Sequence, residues 1–297
     1  ENRETTLMLT LPSLWVLLEL CVGLGLLICG AEVLYRAVVR GTHRLRMPRS
    51  VIVLAALLFG SCVPSASYSL QAAWQDSNDL ALGTILGFTL TLLWLGLGTS
   101  ALLRPFNLDP RIARRDTLWL LAAGILFYVL LQDGQLSRTD GVILVLAGVI
   151  YALRRGQIPV RLVPEAPSYL RARYALIQGL IACIFIFFGS QWMAESSVAL
   201  AQSLGLSEWA LALTIIALGL STPEILTLLT TSARQRAWAQ ESLLGNCIFN
   251  LLWTTGLICW IAPDPIDISP NTLKIDAPVL LAVLLLTAAV GLTQHRL

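Results

Sequence analysis

Long apolar runs separated by short polar stretches set the pattern of this chain. They fall near residues 11–35, 50–74, 79–103, 116–132, 139–153, 174–203, 207–232, 238–262 and 276–293. A bilayer core about 30 Å thick takes roughly 20 apolar residues per helix. The pattern therefore predicts an all-α integral membrane bundle of about nine spanning helices, the fourth and fifth of them short. The first run is too long for the apolar core of a secretory signal and lacks a small-residue cleavage site, so it is expected to be a permanent helix. Because the chain opens on Glu1 rather than Met, an initial segment is expected to be missing or processed.

Composition agrees with the pattern. Of 297 residues, 56% are hydrophobic and 13% charged, against about 25% charged in an ordinary soluble domain. Mean hydropathy is +0.75, which excludes a soluble globule.

The net charge of +2 hides an asymmetry. If the runs cross alternately, 17 of the 20 basic residues fall on one side, leaving Arg3, Arg138 and Lys274 opposite. Basic residues in short loops stay cytoplasmic, so the N-terminus is expected outside and the C-terminus inside, in a bacterial-type inner (plasma) membrane. The arginine clusters thus report topology, and no nucleic-acid partner is expected. The expected partners are membrane lipid and, in one reading below, a larger membrane complex or oligomer.

Cys21, Cys29, Cys62, Cys183, Cys247 and Cys259 all lie in or beside apolar runs without CxxC spacing, and read as small buried hydrophobes. His43 and His295 are too few for a multi-histidine centre. No nucleophile paired with a base and no phosphate loop stands out, so an enzyme is not expected.

The chain also repeats itself. Gly30 and Gly189, Gly60 and Gly219, and Pro64 and Pro223 stand 159 residues apart, while Gly87 and Gly245, and Pro105 and Pro263, stand 158 apart. Five runs separate the copies, an odd number, so the second half is expected to enter the membrane from the opposite face, as in the inverted repeats of secondary transporters. The halves are taken as 1–155 and 174–297, joined by a cytoplasmic linker over 156–173.

Pro64 and Pro223 sit well inside apolar runs. A proline has no N–H to give the carbonyl four residues back, so the carbonyls of Gly60 and Gly219 are expected to be free near mid-membrane; a plain structural kink is the alternative. Glu224 follows Pro223 directly. An ionisable group at that depth is a functional candidate, the alternative being a neutral glutamic acid hydrogen-bonded within the bundle. Asn246 and Asn250 lie four apart on one helix face, where their amide oxygens suit a hard cation. Glu32 and Glu195 are secondary candidates, and Glu32 is placed to pair with Arg36 at helical spacing. The outer acids Asp76, Asp79, Asp264, Asp267 and Asp276 read as solvated loop residues, and tryptophans such as Trp74, Trp94 and Trp192 as an interfacial belt.

The stretch from Ser207 through Gly219-Leu220-Ser221-Thr222-Pro223-Glu224, with Gly245-Asn246-Cys247-Ile248-Phe249-Asn250, resembles the second signature repeat of the cation/calcium exchanger superfamily. Gly60-Ser61-Cys62-Val63-Pro64-Ser65 and Gly83 to Thr89 occupy the corresponding places in the first half. The resemblance implies alternating access with cations held between the repeats. Carried over, it implies Glu224, Asn250, Ser221, Thr222 and Ser61 as cation ligands, with Glu224 and Asn250 foremost at a metal ion and the Gly60 and Gly219 carbonyls as backbone candidates.

The departures from the family pattern are specific. Ser65 stands where the family has its first glutamate, Thr89 and Cys247 where asparagines are expected, and Leu92 near the final asparagine. The family's tenth helix has no counterpart here, whether lost or cut from the sequence. Calcium takes roughly six to eight oxygen ligands and generally more than one carboxylate. A one-carboxylate site is expected to suit a bound monovalent cation or proton better than Ca²⁺. Two functions follow: a cation antiporter with an atypical site, or a transport-inactive homologue serving as accessory subunit of a membrane complex.

Overall fold

The computed structural model describes residues 2–48, 51, 52, 55, 58–103, 110–156, 175–230 and 242–293. Helix α1 spans Asn2–Arg44. Helix α2 covers 58–74, a π-helical turn at Leu58–Cys62 running into Val63–Trp74. Helix α3 covers 78–103, with a π-helical stretch at Leu92–Leu97. Helices α4 (Pro110–Leu130), α5 (Arg138–Gly156) and α6 (Ala175–Leu204) follow. Helix α7 is Glu208–Thr230, α8 is Ser242–Ile261, and α9 covers 272–293.

By length and composition, six of the described helices contain stretches fit to cross a membrane: Leu14–Arg44, Asn78–Leu97, Ile177–Leu204, Glu208–Thr230, Ser242–Ile261 and Thr272–Val290. Two boundaries differ usefully from the sequence expectation. Helices α4 and α5 are longer than their apolar runs over 116–132 and 139–153, because charged residues continue each helix beyond its apolar part. Helix α5 begins in a capping box: the Ser137 N–H and Oγ–H both donate to Asp140 Oδ2, at 2.9 and 2.6 Å. At the other ends of these helices a fully buried Asp116 on α4 accepts from Arg115 at 2.9 Å and from Arg155 on α5. A buried carboxylate is tolerated there because two guanidinium groups replace its water.

Glycines set the closest approaches. A Cβ on Gly23 of α1 would meet the Gly189 carbonyl of α6 at 3.0 Å, and one on Gly189 would meet the Leu27 nitrogen at 2.7 Å. Helices α5 and α8 touch in the same manner, a Cβ on Gly141 falling 2.8 Å from the Gly256 carbonyl. Small residues allow this backbone contact where lipid offers no hydrophobic drive for helix association.

Helices α3 and α8 form the interior: 78% of each spanning window is buried, against 28–39% in the other four. Helix α8 packs against α2, and α7 against α3. At one end of the bundle β1 (Gln135–Leu136) pairs antiparallel with β2 (Ile266–Asp267). At that end Asp76, Ser77, Asn78, Asp79, Glu208, Asp267, Ile268 and Ser269 line a cavity of about 270 Å³. The acids expected to be merely solvated thus partly converge. Trp74, Trp94 and Trp192 are exposed on the bundle surface, while Trp238 lies outside the described residues.

Candidate functional site

A closed polar cluster occupies the place where α2, α3 and α8 meet. Asn250 Nδ2 donates to the Ile85 carbonyl at 2.9 Å and to Thr89 Oγ1 at 3.0 Å. A backbone carbonyl only accepts, so the Ile85 contact fixes which way the amide points. Its oxygen therefore faces α2, where Ser65 Oγ lies 3.1 Å away and also 3.1 Å from the Cys62 carbonyl. Ser65 has one proton for two acceptors, so the two share it. Thr89 sends its own proton to the Ile85 carbonyl at 3.0 Å. Ser65, Thr89 and Asn250 are all fully buried, and the cluster they form is neutral.

Local backbone explains part of this. Asn250 opens a π-helical turn, Asn250–Thr254, whose wider winding sends the Thr255 N–H to the Asn250 carbonyl five residues back. The Thr255 hydroxyl donates to the same carbonyl at 3.3 Å.

Glu224 approaches from α7. It is half-buried, and its carboxylate acts electrostatically on two fully buried thiols, Cys62 of α2 and Cys247 of α8, which also act on each other. Cys62 lies three residues before Ser65 on α2, and Cys247 three before Asn250 on α8.

The other sequence candidates divide. Ser221 is buried, but its hydroxyl donates back to the Ala217 carbonyl at 2.7 Å. Thr222 is exposed and bonds the Leu218 carbonyl at 2.7 Å, away from the buried cluster. The Ser61 side chain lies outside the described residues, and Gly60 is in the π-helical turn that opens α2. Gly219 sits within the continuous helix Ala217–Thr230, which Pro223 does not interrupt. The expected break at Pro223 is not seen, and the Ser221 and Thr222 hydroxyls back-bond the Ala217 and Leu218 carbonyls rather than that of Gly219, the carbonyl four residues before the proline. Asn246, paired with Asn250 from the sequence, is buried one turn away.

Glu32 pairs with Arg36 at 2.7 Å on an exposed face, as its spacing predicts. Glu195 is exposed and accepts from Gln191 at 2.9 Å. The cysteines split into buried Cys62, Cys247 and Cys259 and exposed Cys21, Cys29 and Cys183, so only three fit the expectation of small buried hydrophobes. Among the described residues, no three His, Cys, Asp or Glu side chains come together closely enough to hold a metal ion.

Sequence reasoning treated Ser65 and Thr89 as losses, yet both bond to Asn250. The repeat offset carries the signal that locates them: Ser65 precedes Glu224 by 159 residues, and Thr89 precedes Cys247 by 158.

Comparison with known proteins places this architecture. The chain is 29% identical over 282 residues to the inner membrane protein YrbG of Escherichia coli, covering 91% of this chain and 86% of that protein. It is 30% identical over 261 residues to the putative antiporter CaxA of Alkalimonas amylolytica, covering 83% of this chain and 81% of CaxA. Its fold superposes on the crystal structure of an H⁺/Ca²⁺ exchanger, CAX, with a TM-score of 0.80 at 15% identity, covering 99% of this chain and 84% of the other. Against the sodium-calcium exchanger NCX_Mj the TM-score is 0.64 at 21% identity, covering 95% and 92%. With the family model for the sodium/calcium exchanger protein matching residues 15–155 and 174–296, this membrane protein belongs to the sodium/calcium exchanger family.

Proposed function

We propose that the chain is a cation antiporter whose single central carboxylate, Glu224, holds a proton or a monovalent cation in alternation as two halves rock about it. The observation that carries this reading is the electrostatic influence of half-buried Glu224 on Cys62 and Cys247, which lie on the helices that hold the neutral Ser65–Thr89–Asn250 cluster together. Where a second carboxylate would be expected, a serine is tied into a neutral network. Such a donor set offsets the dehydration of a monovalent ion more readily than that of Ca²⁺, which takes roughly six to eight oxygens. Glu224, Asn250 and Ser221 are the ligands we assign, with Thr222, Ser61 and the Gly60 and Gly219 carbonyls available to other states of the cycle. One relative above is named a putative antiporter, and both solved structures are named exchangers.

The architecture we assign is an inverted repeat of nine crossings, with halves 1–155 and 174–297, the N-terminus outside and the C-terminus in the cytoplasm of a bacterial-type plasma membrane. Supporting it, the π-helical turns at Leu92–Leu97 and Asn250–Thr254 start 158 residues apart, the offset of the glycine repeat. The packing of α2 on α8 and of α7 on α3 exchanges under that offset. Lipid, or a further subunit in an oligomer, covers the exposed apolar side chains of α1, α6 and α9.

Flux into sealed proteoliposomes tests the reading. Na⁺, K⁺ and Ca²⁺ are offered against a proton gradient, with Glu224→Gln alongside. Proton-coupled monovalent flux that vanishes in the variant is the expected result. Folded protein with no flux above empty liposomes would overturn antiport and leave an accessory subunit as the function.

A further inference from the structure

Between the acid-lined cavity and the Ser65–Asn250 cluster lies a layer of buried hydroxyls. Tyr68 Oη, Ser69 Oγ and Thr84 Oγ1 are on fully buried residues, and none has a hydrogen-bond partner among the described residues. Tyr68 Oη faces the hydroxyls of Thr84 and Ser197 without a well-formed bond to either, and the Glu208 carboxylate of the cavity acts on it electrostatically. Ser197 has committed its proton to the Met193 carbonyl at 2.5 Å.

The layer is midway by helix arithmetic. Along α3, Asp79 of the cavity, Thr84 and Thr89 of the cluster are spaced five residues apart, about 7.5 Å of rise each. Along α2, Tyr68 lies one turn from Ser65 toward the end that carries Asp76. Buried hydroxyls without partners are costly, and three in one layer are the groups that water or a passing ion satisfies. Acids at the mouth raise the local cation concentration, and neutral hydroxyl oxygens can replace part of a cation's hydration beyond it.

We infer that Tyr68 is the gate between this cavity and the central site, its ring closing the path and the Ser69 and Thr84 hydroxyls lining the wall it uncovers. This inference rests on the antiport reading for its purpose, but its test reads access rather than flux. Cys62 and Cys247, native, fully buried and three residues from Ser65 and Asn250 on their helices, are the reporters. Protein in lipid nanodiscs is exposed to 2-aminoethyl methanethiosulfonate, and modification at each cysteine is followed by peptide mass spectrometry.

Tyr68→Ala is expected to speed modification of Cys62 and Cys247 about tenfold, through a larger open population. Tyr68→Phe keeps the ring and is expected to stay near the wild-type rate. Phe127→Ala, a cavity in the fully buried core of α4, controls for general loosening and is expected to change neither rate. Equal rates in wild type and Tyr68→Ala, or an equal acceleration in Phe127→Ala, would overturn the gate. Thermal unfolding verifies that each variant is folded, and Tyr68→Leu is read by the same criteria where the alanine variant is not. Loss of the antiport reading alone would leave these rates as stated.

Discussion

Helices α2 and α7 carry the same glycine and proline at matching positions, yet end the motif with opposite chemistry. On α7 the residue after the proline is Glu224, half-buried and acting electrostatically on two buried thiols. On α2 it is Ser65, fully buried and bonded to an amide from α8. The backbones also differ. In each a π-helical turn, Leu58–Cys62 or Ala212–Ile216, precedes the α-helical segment with the proline, but Pro64 lies in the first turn of Val63–Trp74, where its missing N–H costs least, whereas Pro223 lies inside Ala217–Thr230. The difference teaches that a shared glycine and proline fix neither the backbone around them nor the chemistry that follows: α7 carries a charge, and α2 a neutral brace that holds Asn250.

The largest expected effect comes from removing that charge. Glu224→Gln keeps shape and hydrogen bonding but cannot exchange a proton, so gradient-driven flux should fall to the empty-liposome level while the thermal unfolding temperature stays close to wild type. Flux that survives would place the coupling elsewhere. Next is the attempt to make the halves alike. Ser65→Glu buries a second carboxylate against Asn250 and should destabilise the apo protein by several kcal/mol, with Ca²⁺ restoring much of the loss. Thermal melts with and without Ca²⁺ read this, and a wild type that responds to Ca²⁺ as strongly would refute the one-carboxylate explanation.

A smaller loss is expected for Asn250→Ala. It leaves Ser65 and Thr89 with fewer partners and should cost about 2–4 kcal/mol, from lost hydrogen bonds and a cavity. The smallest is Ser65→Ala, which removes one shared proton and should cost about 1 kcal/mol. Denaturation of both variants in one detergent tests the ordering, and a greater loss for Ser65→Ala would show that the brace belongs to Ser65 rather than Asn250.

Much of this was legible in the chain. The apolar runs located every described helix, since a lipid solvent requires each backbone group to be satisfied within its own helix. Glu32 and Arg36 at helical spacing paired as expected. Glu224 stood out because an acid amid apolar residues is conspicuous. Ser65 and Thr89 were seen as places where a ligand is lacking, because a short hydroxyl residue in a membrane helix ordinarily bonds its own backbone and signals nothing further.

The sequence by itself determined that the protein is a helical membrane bundle of the exchanger family, because hydrophobicity and motif spacing are local properties. Only the tertiary structure decided that Asn250 is held by Ser65, Ile85 and Thr89, 185, 165 and 161 residues away. It alone also brought two thiols within the electrostatic influence of Glu224, and drew Asp76, Asp79, Glu208 and Asp267 around one cavity. Hydrogen bonds across such separations depend on how helices cross, and crossing is set by the fit of whole faces at glycines such as Gly23 and Gly189.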